Sequence, residues 1–383
     1  MRAEENVYRE REQMRMRLER KLRMLHRLRY LCAVACLSSW VWGCGGGSTG
    51  GGNSTPPPSY VPPTMAPTFS LMGDTSPVHD PSISYQTGVY YAMSTDPGGT
   101  TSDFLQIRSS TDKIHWVSSG YVFATMPAFI QSYFAPTVLT SLWAPDVSFF
   151  NGLYHLYYAA SDFGTNTSLI ALATSPTLNP ADPSYGWTSH GIVISSNSTS
   201  SFNTIDPSVW VDTDAKGNAT HVWLTYGSYF GGIFQRELDP ATGMTLASNP
   251  ANVNLATRPG VPNNPIEGTS LVKHNGYYYL FASFDYCCNA NPATDNYKIA
   301  VGRSTSPQGP FTDMNGVSML DGGGTILLES GTNWIAPGGA TVLIDPGQGD
   351  VIAYHALSVQ ENYLDFLFVD SLTWPSDWPA ISQ

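Results

Sequence analysis

The sequence predicts an all-β protein, and within that class a five-bladed β-propeller whose four-stranded antiparallel blades surround a central axis. Three observations carry this reading. Five stretches share one phrase, they recur at long and nearly even steps, and helical periodicity is nowhere sustained.

The shared phrase reads HDPSISYQTGVYYAMS from His79, WAPDVSFFNGLYHLYYAAS from Trp143, IDPSVWVDTDAKGNATHVWLTYGS from Ile205, IEGTSLVKHNGYYYLFAS from Ile266 and APGGATVLIDPGQGDVIAYHAL from Ala336. Each is a polar start, a short apolar strand, a Gly or Asn turn and an aromatic-rich strand, which is the pattern of a β-hairpin. Taking Asp80, Asp146, Asp206, Glu267 and Gly338 as equivalent points gives steps of 66, 60, 61 and 71 residues. That period is long for a helical solenoid and suits four-stranded blades. A weaker second hairpin follows each first one, as in DFLQIRSSTDKIHW and YKIAVGRSTSPQGPF, and supplies the third and fourth strands. The blades occupy the chain from near Ser76 to near Trp378, leaving no room for a second domain.

If the first strand of every blade is innermost, residues at equivalent points converge on the axis although they are far apart in sequence. Asp80, Asp206 and Glu267 then face one another across a pocket, and a carboxylate cluster of this kind suits acid and base chemistry on a neutral sugar. Asp before Pro also opens tight turns, so Asp80 and Asp206 taken singly read as turn caps. Three acids at one phase of a repeat favour catalysis. Asp146 occupies the corresponding point of the second repeat and is assigned to the pocket's framework or to substrate support, outside the triad.

Composition agrees. The chain has 383 residues, 42% hydrophobic and 13% charged, with 21 Tyr, 16 Phe and 10 Trp, enough for a large β core with exposed aromatic surface. Its net charge of -12 hides an asymmetry, because residues 1–30 hold ten Arg or Lys against five Glu and leave the rest at -17. A body that acidic repels phosphate backbones, which excludes a nucleic-acid partner. No extended apolar association surface is evident, so a monomer is expected.

The chain divides into an N-terminal extension with a signal segment (1–44), a flexible Gly/Ser/Pro linker (45–70) and the propeller (71–383). Met24 opens a second plausible start: MLHRLRY is a basic region, LCAVACLSSWVW an apolar one too short for a comfortable membrane span, and Gly43-Cys44 a small residue before Cys. Val41-Trp42-Gly43-Cys44 resembles a bacterial lipoprotein processing site, in which Cys44 would carry the lipid anchor and the linker would hold the domain off the membrane. The expected location is therefore outside the cytoplasm, as a cell-surface or periplasmic lipoprotein, with an ordinary cleaved secretory signal as the alternative. Cys287-Cys288 is the only cysteine pair left in the propeller, either a vicinal disulfide or two buried thiols.

HDPSI at 79–83, LWAPDV at 142–147, NTIDPSVWVD at 203–212, TYGSYFGGI at 225–233, IEGTSLV at 266–272 and FDYCCNANPATDNYKIAVGRSTSPQGPF at 284–311 resemble glycoside hydrolase family 43, and within it the endo-1,5-α-L-arabinanases. The resemblance covers essentially everything after the linker. It implies an inverting hydrolase of α-1,5-linked arabinofuranosyl chains, with plant cell-wall arabinan or its oligosaccharides as partner. Asp80 would be the general base, Glu267 the general acid, and Asp206 a third carboxylate that keeps Glu267 protonated by like-charge repulsion. By the same resemblance Gly164, Asn203, Thr204, Ile205, Ser228, Tyr229 and Phe230 line the cleft, Thr204, Tyr229 and Phe230 being departures from the commoner Ala, Phe and Trp. Trp143 either stacks on a furanose ring or packs between blades. His355 would help hold a calcium ion surrounded mostly by water, although a lone strand His is also a common hydrogen-bonded core residue. The His of a Gly-Pro-Gly-His-Asn motif usual in the family is replaced by Gly339 in Ala336-Pro337-Gly338-Gly339-Ala340. Two further readings stand beside this one: an exo-acting arabinofuranosidase or β-xylosidase of the same family, and a catalytically silent glycan-binding propeller.

Overall fold

A computed structural model describes residues 60–345 and 347–383. The basic N-terminal stretch, the signal-like segment with Cys44 and the linker up to residue 59 lie outside the described residues.

Five antiparallel sheets follow one another along the chain. Blade 1 comprises His79–Gln86, Val89–Thr95, Phe104–Ser110 and His115–Phe123, and blade 2 Trp143–Phe150, Leu153–Ser161, Ser168–Ser175 and Thr188–Ser196. Blade 3 comprises Ser208–Thr213, Ala219–Tyr226, Ile233–Leu238 and Val253–Ala256, and blade 4 Ile266–His274, Tyr277–Phe284, Lys298–Ser304 and Thr325–Leu328. Blade 5 is Trp334–Leu343, Val351–Ser358, Leu364–Thr373 and Ala380–Ser382, its last strand lying just past the expected end at Trp378. The first strand of each blade packs against the first strands of both neighbours, and blade 5 meets blade 1, so the ring is closed and the first strands are innermost. Met72–Gly73 adds a short parallel strand to the outer edge of blade 1. The only α-helix among the described residues, Ala128–Phe134, buries Ile130 and Phe134 between blades 1 and 2.

Two of the hydrophobic clusters fill the seams on either side of blade 2. Leu156 and Tyr158 face Ile107 and Phe104 of blade 1, and their neighbours Tyr157 and Ala159 face Val222 and Leu224 of blade 3. This is the period-two alternation of a strand buried on both faces.

A polar latch repeats at the axis. Asp146 Oδ2 accepts the Val209 amide at 2.8 Å, Ser208 Oγ the Leu271 amide at 3.1 Å, Ser270 Oγ the Val342 amide at 3.2 Å, and Thr341 Oγ1 the Ile83 amide at 3.2 Å. Each joins one first strand to the next around the ring.

Residues 60–70, expected as linker, instead lie on the blades. Thr64 forms a parallel bridge to Glu329, Met65 is buried against blades 4 and 5, and Phe69 packs 5.1 Å from Trp334 and 5.0 Å from Phe368. The Pro-rich composition reads as a spacer, but Met65 and Phe69 have apolar surface to bury and find it there.

Candidate active site

The mouth of the axial pocket is lined by corresponding residues of all five blades: Asp80, Ala144-Pro145, Asp206-Pro207, Gly268-Thr269 and Gly339–Thr341. The first strands of blades 1, 2, 4 and 5 carry a β-bulge here, with the register shifting between His79 and Ser82, Trp143 and Asp146, Glu267 and Ser270, and Gly338 and Thr341. At the bulge the backbone is left-handed at Asp80 (φ 46°), Ala144 (φ 40°), Asp206 (φ 56°), Gly268 (φ 57°) and Gly339 (φ 57°). Asp tolerates that conformation better than most residues, and the following Pro needs no amide hydrogen where the ladder is interrupted.

The bulge corrects the expected equivalences. Asp80 and Asp206 share one address, and Glu267 lies one residue earlier, in register with His79 and Trp143. Asp146 is equivalent to Ser82, Ser208, Ser270 and Thr341, two residues past the bulge, where it serves as an inter-blade latch. Counting along the sequence cannot detect this, because one extra residue in a strand exchanges the faces of everything beyond it.

Each acid is held individually. Asp80 donates its amide to His355 Nδ1 at 3.1 Å, and its Oδ2 accepts from Thr95 Oγ1 at 2.8 Å. Asp206 Oδ2 accepts the Gly268 amide at 2.9 Å. Glu267 is buried; Ser228 Oγ donates to its Oε2 at 2.5 Å and the Tyr297 hydroxyl donates to Oε1. Burial raises the Glu267 carboxyl to about 7, with the charge of Asp80 adding to the rise while Ser228 and His79 oppose it. Burial likewise raises Asp206 well above the carboxylate range, followed by the charges of Glu267 and Asp80. Desolvation is thus the first cause in both, and the like charge that adds to it at Glu267 is Asp80, where Asp206 was expected from sequence.

The structure distributes the other expected residues unevenly. Ser228 touches Glu267. Tyr229 (φ 49°) and Phe230 (φ 36°) form a left-handed turn whose carbonyls accept from Asn264 Nδ2, and Phe230 is 48% exposed. Half-buried Trp143 stands edge-on to Phe163, 6.1 Å between centroids, and Phe163 is 70% exposed beside the turn at Gly164. Asn203, Thr204 and Ile205 point inward instead. Asn203 Oδ1 accepts from Ser168 Oγ at 2.6 Å, Thr204 Oγ1 donates to the Ser168 carbonyl at 2.9 Å, and Ile205 joins the core between blades 2 and 3. Their side chains hold the loop that carries Asp206.

Sequence reasoning missed three neighbours of the acids. His79 Nε2 lies 3.7 Å from Asp80 Oδ1, its Nδ1 lies 3.3 Å from Asp365 Oδ1, and its ring stacks 3.8 Å from that of His355. Burial lowers the His79 imidazole, but the carboxylates of Asp80 and Asp365 outweigh it and the net shift is upward, so the ring is cationic at neutral pH. Tyr297 touches Glu267, and Cys287 and Cys288 form a disulfide over the same carboxyl. HDP and DNYK contain the first two residues without any periodic signal to mark them.

A family model for glycosyl hydrolases family 43 matches residues 75–379. The chain belongs to this family. Among family 43 relatives, an extracellular endo-α-(1->5)-L-arabinanase of Bacillus subtilis is 38% identical over 79% of this chain and 87% of its own. An extracellular exo-α-(1->5)-L-arabinofuranosidase of Cellvibrio japonicus is 34% identical over 80% and 86%. Of solved structures, a Cellvibrio cellulosa α-L-arabinanase complexed with arabinohexaose superposes with a TM-score of 0.71 at 32% identity, covering 81% of this chain and 96% of that one. A family 43 endo-arabinanase of Bacillus licheniformis gives 0.71 at 35%, covering 82% and 100%. The protein is a glycoside hydrolase.

Within this family 43 site, His79, Asp80 and His355 are the potential metal-ligating side chains gathered around His355. They offer one carboxylate and two imidazoles, with Asp365 behind the His79 ring, so a calcium ion, which takes six to eight oxygen ligands, would draw most of them from water. With Nδ1 of His355 accepting the Asp80 amide, the proton of the neutral ring sits on Nε2. Burial lowers His355 to about 4, helped by His79, so the ring is neutral. Its position pairs with Gly338 as Thr95 pairs with His79 and Ser283 with Glu267. Thr95 Oγ1 accepts the Ala144 amide at 2.8 Å and Ser283 Oγ the Gly339 amide at 2.9 Å, so His355 is the blade 5 form of a recurring bulge support. A side chain at Gly339 would meet the Asp80 carboxylate and lie 2.9 Å from His355 Nδ1, so a larger residue here would require the Asp80 side chain to shift.

Proposed function

We propose that this chain is an inverting endo-1,5-α-L-arabinanase in which Asp80 is the general base, Glu267 the general acid and Asp206 the carboxyl that tunes and orients the acid. The observation that carries the reading is that Asp80 and Asp206 line one axial pocket while Glu267, next to the lining Gly268, is near enough for its charge to act on Asp206 and that of Asp80 to act on it, with Glu267 raised to about 7. A carboxyl that keeps its proton near neutrality can donate it to the leaving glycosidic oxygen, and an acceptor across the pocket can take one from the attacking water. The left-handed bulge and the Thr95 and His355 contacts orient Asp80 before substrate arrives. Exposed Phe163 and Phe230 offer apolar faces to a neutral furanose chain.

Arabinan is the substrate named for most of the relatives, and those from Bacillus and Aspergillus support internal cleavage. The exo-acting Cellvibrio relative supports the second reading, end-wise release. The relatives' extracellular location supports secretion. Anchoring through a lipid on Cys44, with residues 45–59 as tether, extends this reading, and the propeller acts as a monomer. Linear arabinan digested alongside xylan tests the proposal: oligosaccharides of mixed length from arabinan alone are expected, and arabinose as the sole early product would favour the second reading. Glu267→Gln should lower kcat by about 10²- to 10⁴-fold with arabino-oligosaccharide binding retained. Wild-type turnover in that variant would remove the acid assignment.

A further inference from the structure

Cys287 and Cys288 lie in the segment between the second and third strands of blade 4 and are joined to each other. Cys287 Sγ is 3.8 Å from Glu267 Oε1, while Cys288 Sγ is 3.6 Å from His79 Nε2, the imidazole beside Asp80. One disulfide therefore spans from the acid to the neighbour of the base. The segment is built to hold it there. Asp295 accepts the amides of Cys288 at 3.0 Å and Asn289 at 3.1 Å, Asn296 and Tyr286 exchange two hydrogen bonds at its base, and Cys287 packs on Tyr297, which itself donates to Glu267.

We propose that the Cys287–Cys288 disulfide is a positioning element of this active site, a water-excluding strut between Glu267 and the His79–Asp80 pair that sets the acid's working state. The inference rests on the assignment of Glu267 as general acid. A disulfide sulfur carries no proton, so it cannot donate to the carboxylate; it only displaces water from one side of it. Opening the bond by a dithiol transfers two electrons and two protons to the cysteines, yielding two thiols as the reagent becomes its own disulfide. The Cys287 thiol, within reach of Oε1, then donates to the charged form, and the loosened segment admits water. Both effects favour ionised Glu267. The other groups facing it are unchanged by this step: Asp80 and His79 from blade 1, Asp206 from blade 3, Ser228 and Tyr229 from the turn beyond it, and Tyr297 from blade 4.

The test compares oxidised, dithiothreitol-reduced and reoxidised full-length enzyme, following kcat/KM against pH on a linear arabino-oligosaccharide. Reduction should move the alkaline limb down by about half to one pH unit, a three- to tenfold loss above it, and reoxidation should restore it. An aryl arabinoside with a good leaving group needs little acid assistance and should lose much less. Cys287→Ala/Cys288→Ala should shift the limb the same way and be indifferent to dithiothreitol, its folding checked by thermal unfolding and near-ultraviolet circular dichroism. An unmoved limb, or equal losses on both substrates at every pH, overturns the proposal and leaves the disulfide a structural staple. If Glu267→Gln is fully active, the reading of the site has failed instead; if that variant is dead and the limb unmoved, only this inference has.

Discussion

As the proposed general acid, Glu267 must hold a proton at a pH where a solvated glutamate has lost it, and its surroundings are divided on the matter. Burial and Asp80 favour the acid form; Ser228 and His79 favour the charged one. With the acid form active, as proposed, kcat/KM should fall as pH rises through about 7. Ser228→Ala removes a donor to the carboxylate, so the same limb should move upward, which a pH–rate series on arabino-oligosaccharide reads directly. At this scale Asp80 and Asp206 were legible as one recurring Asp-Pro address, whereas Glu267 was placed by the repeat only to within one residue. Tyr297, His79 and the contact with Cys287 were not legible, since nothing local in DNYK or HDP says which neighbours will surround them. His355 was visible only as a strand histidine, and its acceptor role became clear from the equivalent positions of Thr95 and Ser283.

The element that organises the pocket is the bulged first strand. Its bulge residue faces the axis, and the residue two places on latches to the next blade, as Asp146 does to Val209. Burial raises the Asp146 carboxyl from 3.8 to about 7, against the pull of the Val209 amide. The unfolded chain therefore releases this proton first, the native state binds more protons between those values, and Asp146 withdraws stability as pH rises from about 4 to about 7. Asp146→Asn keeps an oxygen for the Val209 amide but does not titrate, so urea denaturation should show a flatter loss over that window than in wild type. Asp146→Ala leaves the amide without its acceptor and should cost about 1–3 kcal/mol at pH 5. Strand alternation and Gly or Asn turns made every hairpin readable from sequence. The bulge was not, because an inserted residue leaves composition and approximate spacing unchanged.

Over the whole molecule, ring closure relies on packing and isolated hydrogen bonds, since no strand is shared between blades 5 and 1 among the described residues. The segment 60–78 runs over blades 4 and 5 to that junction: Glu329 donates its amide to the Pro63 carbonyl at 3.0 Å, Met65 inserts beside Leu327, Leu328 and Trp334, Leu367 donates its amide to the Thr75 carbonyl at 2.8 Å, and Leu71 and Val78 pack with residues of blades 5 and 1. Met65→Ala should cost about 2–5 kcal/mol in chemical denaturation while kcat on arabinan stays at the wild-type value, because the side chain lies in the core of blades 4 and 5. A loss of kcat with stability unchanged would show that this segment acts on the site rather than on the packing of blades 4 and 5.

What the sequence determined by itself is whatever depends on short range: five hairpins, their four-stranded blades, and acids repeated with them, because side-chain alternation and turn chemistry act within a few residues. Only the tertiary structure decided which of two neighbouring positions faces the axis, that Asn203 and Thr204 turn into the core, that Met65 and Phe69 belong to the blades, and that a disulfide lies against Glu267. Those outcomes depend on bulges and on ring closure, which bring together groups dozens to hundreds of residues apart and leave no mark in any local stretch of chain.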